Sequence, residues 1–335
     1  MEQAIYYFTA NGDGSVCLRR CFGENGEVYI PDEIEGHPVT SIGPYCFAEN
    51  AHLKTNAYQV SCMGGDREEL QDLLMEQCGK QIVSVQLPAT VRRLHAYAFY
   101  GCRKLEAVSL WNGLEEIEND AFMNCTSLHT LIYQGDITGP GALKQVLTQI
   151  SWEVELSVIH DQSLQCRLLF PDYLEYYDEV GPAHLFGIHI EGEGYRARQC
   201  FRGNVLRLEE YDRVFPTLCC QEKTQVSARF AADRILYPLN LAEEAAKQYG
   251  DFLRAHSRES AAAILDEKRQ VSGKRRLSEL ERLFAKGFLD SETLDDLLKK
   301  AAREEKAELS ASLIKWKRAY FEKKADRYSF DDFDF

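Results

Sequence analysis

The chain lacks the segments that would send it to a membrane or along a secretory route. No apolar run in its 335 residues approaches the roughly 20 needed to span a bilayer. The opening Met1-Glu2-Gln3-Ala4-Ile5-Tyr6-Tyr7-Phe8-Thr9 has neither the basic start nor the apolar stretch of a secretory signal. The expected location is therefore cytoplasmic, or secreted or surface-exposed if a leader was removed.

Positive charge is also in short supply. Lys and Arg number 39 against 53 Asp and Glu, a net charge of −14, and the acidic excess is concentrated in the first half. Such a surface repels phosphate backbones and anionic lipid, so nucleic acid and membrane are disfavoured as main ligands and a neutral or basic protein is favoured.

Catalytic signatures are missing as well. There is no GxSxG, no HExxH, no GxxxxGK[ST] and no CxxC pair, so no cofactor or metal is expected. The eleven cysteines are an odd number and several fall at core phases, which excludes a simple disulfide framework and points to reduced thiols. Cys17 with Cys21, and the vicinal Cys219-Cys220, fall short of a four-ligand metal set. With 45% apolar and 27% charged residues, the chain has enough apolar mass for large cores and no signature of disorder.

What the chain does contain is repetition. Ile42 with Phe47 and Leu53, Leu94 with Phe99 and Leu105, and Ile117 with Phe122 and Leu128 all fit aliphatic-x4-Phe-x5-Leu. The last two copies are in phase: Phe99 and Phe122, Cys102 and Cys125, and Leu87 and Leu110 each lie 23 residues apart. A period in the range of about 20–29 with Leu, Ile and Phe at fixed phases predicts a leucine-rich solenoid with short parallel strands. Phe47 and Phe99 are 52 residues apart, which predicts one degenerate turn between them. A helix carrying Leu70, Leu73, Leu74 and Cys78, closed by Gly79, is expected in that interval.

On strands of period two, Val85 and Leu87, Val108 and Leu110, and Leu131 and Tyr133 form the inward set. The alternate residues Gln86, Ser109, Trp111, Thr130, Ile132 and Gln134 then face outward and are the candidate protein-binding residues.

The segments Val28-Tyr29-Ile30-Pro31, Ile34 to Gly43, Ala98-Phe99-Tyr100-Gly101-Cys102 and Ala121-Phe122-Met123-Asn124-Cys125 resemble the BspA-type (Treponema-type) leucine-rich repeats of bacterial proteins. The resemblance covers roughly residues 1–135 and implies a solenoid used for protein–protein contact, with no catalytic residues attached.

Outside the repeats, residues 4–9 and 15–22 flank the turn Asn11-Gly12-Asp13-Gly14 and should form a capping hairpin. A short helix from about Ala142 to Gln149 and an edge strand from Trp152 to Ile159 should close the other end. Strands at Gln165–Phe170 and Leu185–Glu191 follow. Gly192-Glu193-Gly194 reads as a tight turn rather than a phosphate loop, because Glu191 and Glu193 would repel phosphate. Helices are expected over 223–236, 241–256, 258–270, 274–286, 291–302 and 305–324, with Asn240 and Asp290 or Ser291 as caps. This half loosely resembles an ankyrin-like array.

The expected fold class is thus α+β: a leucine-rich repeat domain over 1–160, a mixed linker subdomain over 161–216, a helical array over 217–325 and an acidic-aromatic tail over 326–335. His184 and His189 with Asp178 and Glu191 form the one acid–histidine cluster of the second half, read as polar strand residues facing solvent. Lys268 to Arg276 is the one basic patch, read as a solvated loop. The expected function is an intracellular, non-enzymatic protein-binding scaffold or adaptor. A cell-surface adhesin is the first alternative; an enzyme or nucleic-acid-linked effector with its site in the C-terminal half is the second.

Overall fold

The structure is a computed structural model that describes residues 3–49, 57–180, 185–266 and 272–322. Leu53, His52, His184, the part of the basic stretch from Lys268 to Val271 and the tail from Asp326 to Phe335 lie outside the described residues. The chain divides into two compact units, one comprising Met1–Glu222 with Tyr237–Ala242, the other Lys223–Leu236 with Glu243–Phe335.

The first unit begins with the antiparallel hairpin β1 (Ala4–Ala10) and β2 (Val16–Gly23). Then come β3 (Glu27–Tyr29), β4 (Glu33–Ile34), β5 (His37–Ile42), β6 (Gln59–Met63), α1 (Arg67–Leu73), β7 (Met75–Glu76), β8 (Ser84–Gln86), β9 (Arg93–Leu94), β10 (Ala107–Trp111), β11 (Glu116–Ile117) and β12 (Thr130–Gln134). After them stand α2 (Leu143–Thr148), β13 (Val154–His160) and β14 (Ser163–Phe170).

Two sheets enclose the core. One runs β14-β13-β12-β10-β8-β3, and the other runs β11-β9-β5-β2-β1-β6. β3, β8, β10, β12 and β13 pair in parallel, Val28 beside Val85, Val108, Leu131 and Leu156 in one unbroken row. All five are buried, as are Leu110 and Tyr133, so the inward set has the predicted phase. Behind them Phe47, Phe99 and Phe122 stack at 4.8 and 5.1 Å with nearly parallel rings. The thiols continue the same ladder: Cys102 Sγ donates to the Phe47 carbonyl at 3.3 Å and Cys125 Sγ to the Phe99 carbonyl at 3.0 Å. Gly101 and Asn124 hold the same phase and both take positive φ, at 73° and 64°, which explains why Gly and Asn recur two residues after the Phe.

The spacing of 52 residues has a different cause from a degenerate turn. β3 pairs directly with β8, and Phe47 stacks directly on Phe99, so the two turns are consecutive and the extra residues leave the stack. They return to the capping hairpin: β6 pairs with β1 and β7 with β2, both antiparallel. α1 seats Leu70 and Leu74 on Ile5 and Tyr7. The helix stops at Leu73, short of Cys78. Gly79 is therefore not its cap; its N–H donates to the Phe47 carbonyl at 2.8 Å and starts the next turn. Arg20, fully buried, fastens the insert, with Nη1 donating to the carbonyls of Cys46 and Ala48 and Nε 2.9 Å from Glu76.

The far end is closed by α2, which stands where another turn would stack. Gln145 Oε1 accepts from the Ile117 N–H at 2.8 Å, and the Gln149 amide donates to the Glu118 carbonyl at 3.0 Å. β13 is an inner strand rather than the expected edge. The turn Asp161-Gln162, both at positive φ, returns the chain as β14, antiparallel to β13. The expected boundary at 160/161 falls in that turn. β14 in turn meets Tyr211, whose hydroxyl donates to the Leu169 carbonyl at 2.7 Å and accepts from the Leu169 N–H at 2.9 Å. Arg167 lies under the Tyr237 ring, 5.0 Å from its centroid, and Cys166 bridges to Pro238.

The unit then adds the separate hairpin β15 (Leu174–Val180) and β16 (Leu185–Glu191), followed by α3 (Gly194–Arg198), β17 (Phe201–Arg202), β18 (Val205–Leu206), α4 (Leu208–Asp212) and α5 (Phe215–Gln221). Gly192 turns at φ 94°, and a Cβ on Gly194 would lie 2.0 Å from the Pro171 carbonyl, so this glycine pair serves a close turn into α3. Arg198 is buried with its guanidinium donating to the carbonyls of Leu147, Pro171, Gly194 and Trp152. Burial lowers its pKa to about 10.

The second unit is helical: α6 (Thr224–Leu236), α7 (Glu243–Ala255), α8 (Ser257–Leu265), α9 (Gly273–Ala285), α10 (Ser291–Arg303) and α11 (Ala307–Trp316). Their apolar faces meet through Phe230, Tyr249, Leu253, Ile264, Leu280, Leu283, Leu294, Leu313 and Trp316, all buried. Asp290 caps α10, accepting from the Thr293 N–H at 2.7 Å. Asn240 does not cap α7, which starts at Glu243; it sits in the preceding turn at φ 49°. α9 ends in a Schellman turn, with Gly287 at φ 70° and the Phe288 N–H on the Leu283 carbonyl.

Candidate functional site: the outer face of the parallel sheet

Alternation along β8, β10 and β12 turns every second residue away from the core. Register sets these in rows: Tyr29, Gln86, Ser109, Ile132 and Ser157 in one, and Trp111, Gln134 and Ile159 in the next. A third row holds Glu27, Ser84, Ala107, Thr130 and Glu155. With neighbouring strands about 4.8 Å apart, the first row spans about 19 Å.

Trp111 and Ile132 are diagonal neighbours, since Trp111 pairs with Gln134 and Ile132 with Ser109. That places their side chains about 7–8 Å apart, within reach of one ligand group. Both are half-buried, like Thr130 and Gln134, whereas Gln86 is exposed. Ser109 is the exception: it is only 8% exposed, a small side chain in a row between the larger Gln86 and Ile132. Tyr29, 49% exposed on the outermost strand, belongs to the same face and was not among the expected residues. Its signal was available, because Val28 shares the phase of Val85 and the next residue must face out.

The charges sit at the margins. Glu27 is exposed at one end. At the other, Glu155 lies 3.2 Å from Arg167. Past the end of β12, Asp136 accepts from the Thr138 hydroxyl at 2.7 Å and from its N–H at 2.8 Å, and these bonds hold its carboxyl below its usual range. Burial, aided by Asp136, pushes Tyr133 up to about 12. The face therefore offers an apolar and amide centre, with the exposed carboxylates of Glu27 and Asp136 at its margins.

Other candidates have partners within the fold. His189 stacks on Tyr176 at 5.4 Å, and the Tyr176 hydroxyl donates to Glu191; the other half of that cluster, His184, is outside the described residues. In the basic stretch, Arg275 pairs with Glu279 at 3.3 Å and Arg276 donates to the Asp266 carbonyl. Cys17 and Cys21 are buried in the capping hairpin, and none of the eleven cysteines is in a disulfide. Among the described residues no group of three or more His, Cys, Asp or Glu side chains is placed to hold a metal ion, and no helix is long and apolar enough to cross a membrane.

Comparison with known proteins gives one family. The BspA type leucine rich repeat region, in six copies, matches residues 27–142 and 68–166. Among curated proteins none matches. Two solved structures are similar to parts of the chain. The leucine-rich repeat protein of T. pallidum is 24% identical, with a TM-score of 0.28, over 39% of this chain and 51% of that one. A leucine rich cell surface protein from Faecalibacterium prausnitzii A2-165 is 18% identical, with a TM-score of 0.26, over 48% of this chain and 42% of that one. The chain thus spans about half the length of these structures.

Proposed function

Residues 27–166 belong to the BspA-type leucine-rich repeat family, a family of protein-interaction modules, and on that premise we propose that this chain is a non-enzymatic intracellular scaffold. It holds a protein partner on the outer face of the parallel sheet, through Gln86, Ser109, Trp111, Thr130, Ile132 and Gln134, with Tyr29 extending the surface. In this reading the stacked turns form a short leucine-rich solenoid and the helices of the second unit an ankyrin-like array.

One observation carries the proposal: Trp111 and Ile132 stand as diagonal neighbours on strands whose opposite faces are buried. Aromatic and aliphatic anchors on a rigid backbone lose little entropy on binding, which is why such positions dominate interface energies. Exposed carboxylates at the margin favour a partner with lysine or arginine around an apolar patch. The intracellular placement rests on eleven cysteines that lie outside any disulfide, most of them buried, an economy suited to a reducing compartment.

The test is Trp111→Ala combined with Ile132→Ser. Capture of a native partner should fall by about tenfold or more, the loss of one strong anchor, while the melting midpoint stays nearly constant. Undiminished capture, or a large drop in the midpoint, would show that the pair serves folding instead.

A further inference from the structure

The β15–β16 hairpin forms a sheet of its own, with no third strand beside it among the described residues. A two-stranded ribbon is marginal in water unless something covers it. Tyr177 pairs with Ile188 and Glu175 with Ile190, so these four share one face. Tyr177, Ile188 and Ile190 are 67%, 58% and 40% exposed, an apolar patch on a projecting element. On the opposite face the Tyr176 ring stacks on His189 and its hydroxyl donates to Glu191, while Leu174 at the strand end is exposed.

The two edges differ in charge. β15 carries Glu175, Asp178 and Glu179. β16 reads Leu-Phe-Gly-Ile-His-Ile-Glu, with one acid at its end and neither lysine nor proline, and its register with β15 contains no bulge. Exposed edges are ordinarily guarded by charge, proline or a bulge. Leu185–Ile190 has none of these.

We propose that the β16 edge pairs with β16 of a second copy of this chain, antiparallel about a two-fold axis at Ile188, so that two hairpins join as a four-stranded sheet. The arrangement is self-complementary. Ile188 meets its own equivalent, and His189 falls opposite Gly187, where no side chain obstructs it. The two Glu191 carboxylates are set at opposite ends, whereas parallel pairing would bring them side by side. The acid-rich β15 strands become the outer edges of the new sheet, and their like charge stops further addition at two copies. Tyr177, Ile188 and Ile190 of both copies then line one continuous apolar face. The contact is small beside a standard interface of about 1,600 Å², and each copy carries a charge of −14. The dimer is therefore weak and strengthened by salt.

Sedimentation of the full chain from about 1 to about 200 µM, at low and high salt, tests this in the range where small interfaces associate. The expected result is a monomer–dimer equilibrium that tightens with salt. Ile188→Lys, on an exposed side chain, should weaken it by about tenfold or more with an unchanged melting midpoint, while Glu175→Lys on the outer strand should leave it at least as tight. A monomer at every concentration, or a dimer indifferent to Ile188→Lys, would overturn the proposal. So would slowed amide exchange over β16 that appears only when a different protein is added, since that would make the edge a site for a foreign strand.

Discussion

Phe99 lies between two rings and has no exposed surface. Its removal would open a cavity bounded by rigid neighbours above and below, and such cavities collapse poorly. Phe99→Ala, and separately Phe122→Ala, should therefore cost about 3–5 kcal/mol in denaturant melts; a loss under about 1 kcal/mol for both would refute the ladder. The cysteines of the ladder are part of the same device. Each thiol donates to the Phe carbonyl of the preceding turn, so a cysteine at this phase serves as a small apolar filler and a weak donor at once. The neighbouring Cys125 thiol and burial both push Cys102 up, which keeps it protonated and suits the role of donor. Nothing in the spacing alone distinguishes that role from mere packing, since both require a small buried side chain.

At the scale of elements, the insert is the feature that needs most explanation. It leaves the stack after the first turn, lays β6 and α1 on the capping hairpin and returns through β7. Arg20 is what fixes its return, because one guanidinium satisfies two carbonyls of the first turn and reaches Glu76 of the insert. Arg20→Leu leaves those carbonyls without their donor. Since Glu76 is partly exposed and can rehydrate, the expected loss is about 2–3 kcal/mol, measured by denaturant melt, with the larger share of the change in amide exchange falling on β7 and α1. An effect confined to β2 would show that the insert is held by its apolar contacts instead.

The same segment marks where the sequence could be read and where it could not. Repeats with a fixed period exposed the phase of Val85, Val108 and Leu131, because identical turns demand identical side chains at identical depths. The helices of the second unit were legible for a similar reason, an apolar stripe interrupted by short polar links. The insert mimics a degenerate turn in sequence because its strands pair with the hairpin rather than with the stack, and nonlocal pairing leaves no period. β13 was expected at an edge because the turn Asp161-Gln162 has no glycine to announce it. On the candidate face, alternation gave the outward direction of Trp111 and Ile132. It could not give the depth of Ser109, which depends on the size of neighbours from other turns.

For the molecule as a whole, the eleven thiols provide a direct check. Cys220 is exposed and Cys17, Cys21, Cys46, Cys102, Cys125, Cys166 and Cys200 are buried, so alkylation of native protein should label Cys220 first. Under denaturing, non-reducing conditions, intact mass should show all eleven labelled. A reproducibly protected pair would reveal a disulfide and overturn the intracellular reading. The division of the chain has a further consequence, for the order in which it can be made. The first unit includes Tyr237–Ala242, yet the whole of α6 intervenes in sequence after Glu222. Until those six residues have left the ribosome, Arg167 lacks the ring of Tyr237 and β14 lacks its bridge to Pro238. Vectorial synthesis therefore adds these two contacts to the first unit only after α6 has been made, and a gene split at codon 222 would remove both from it.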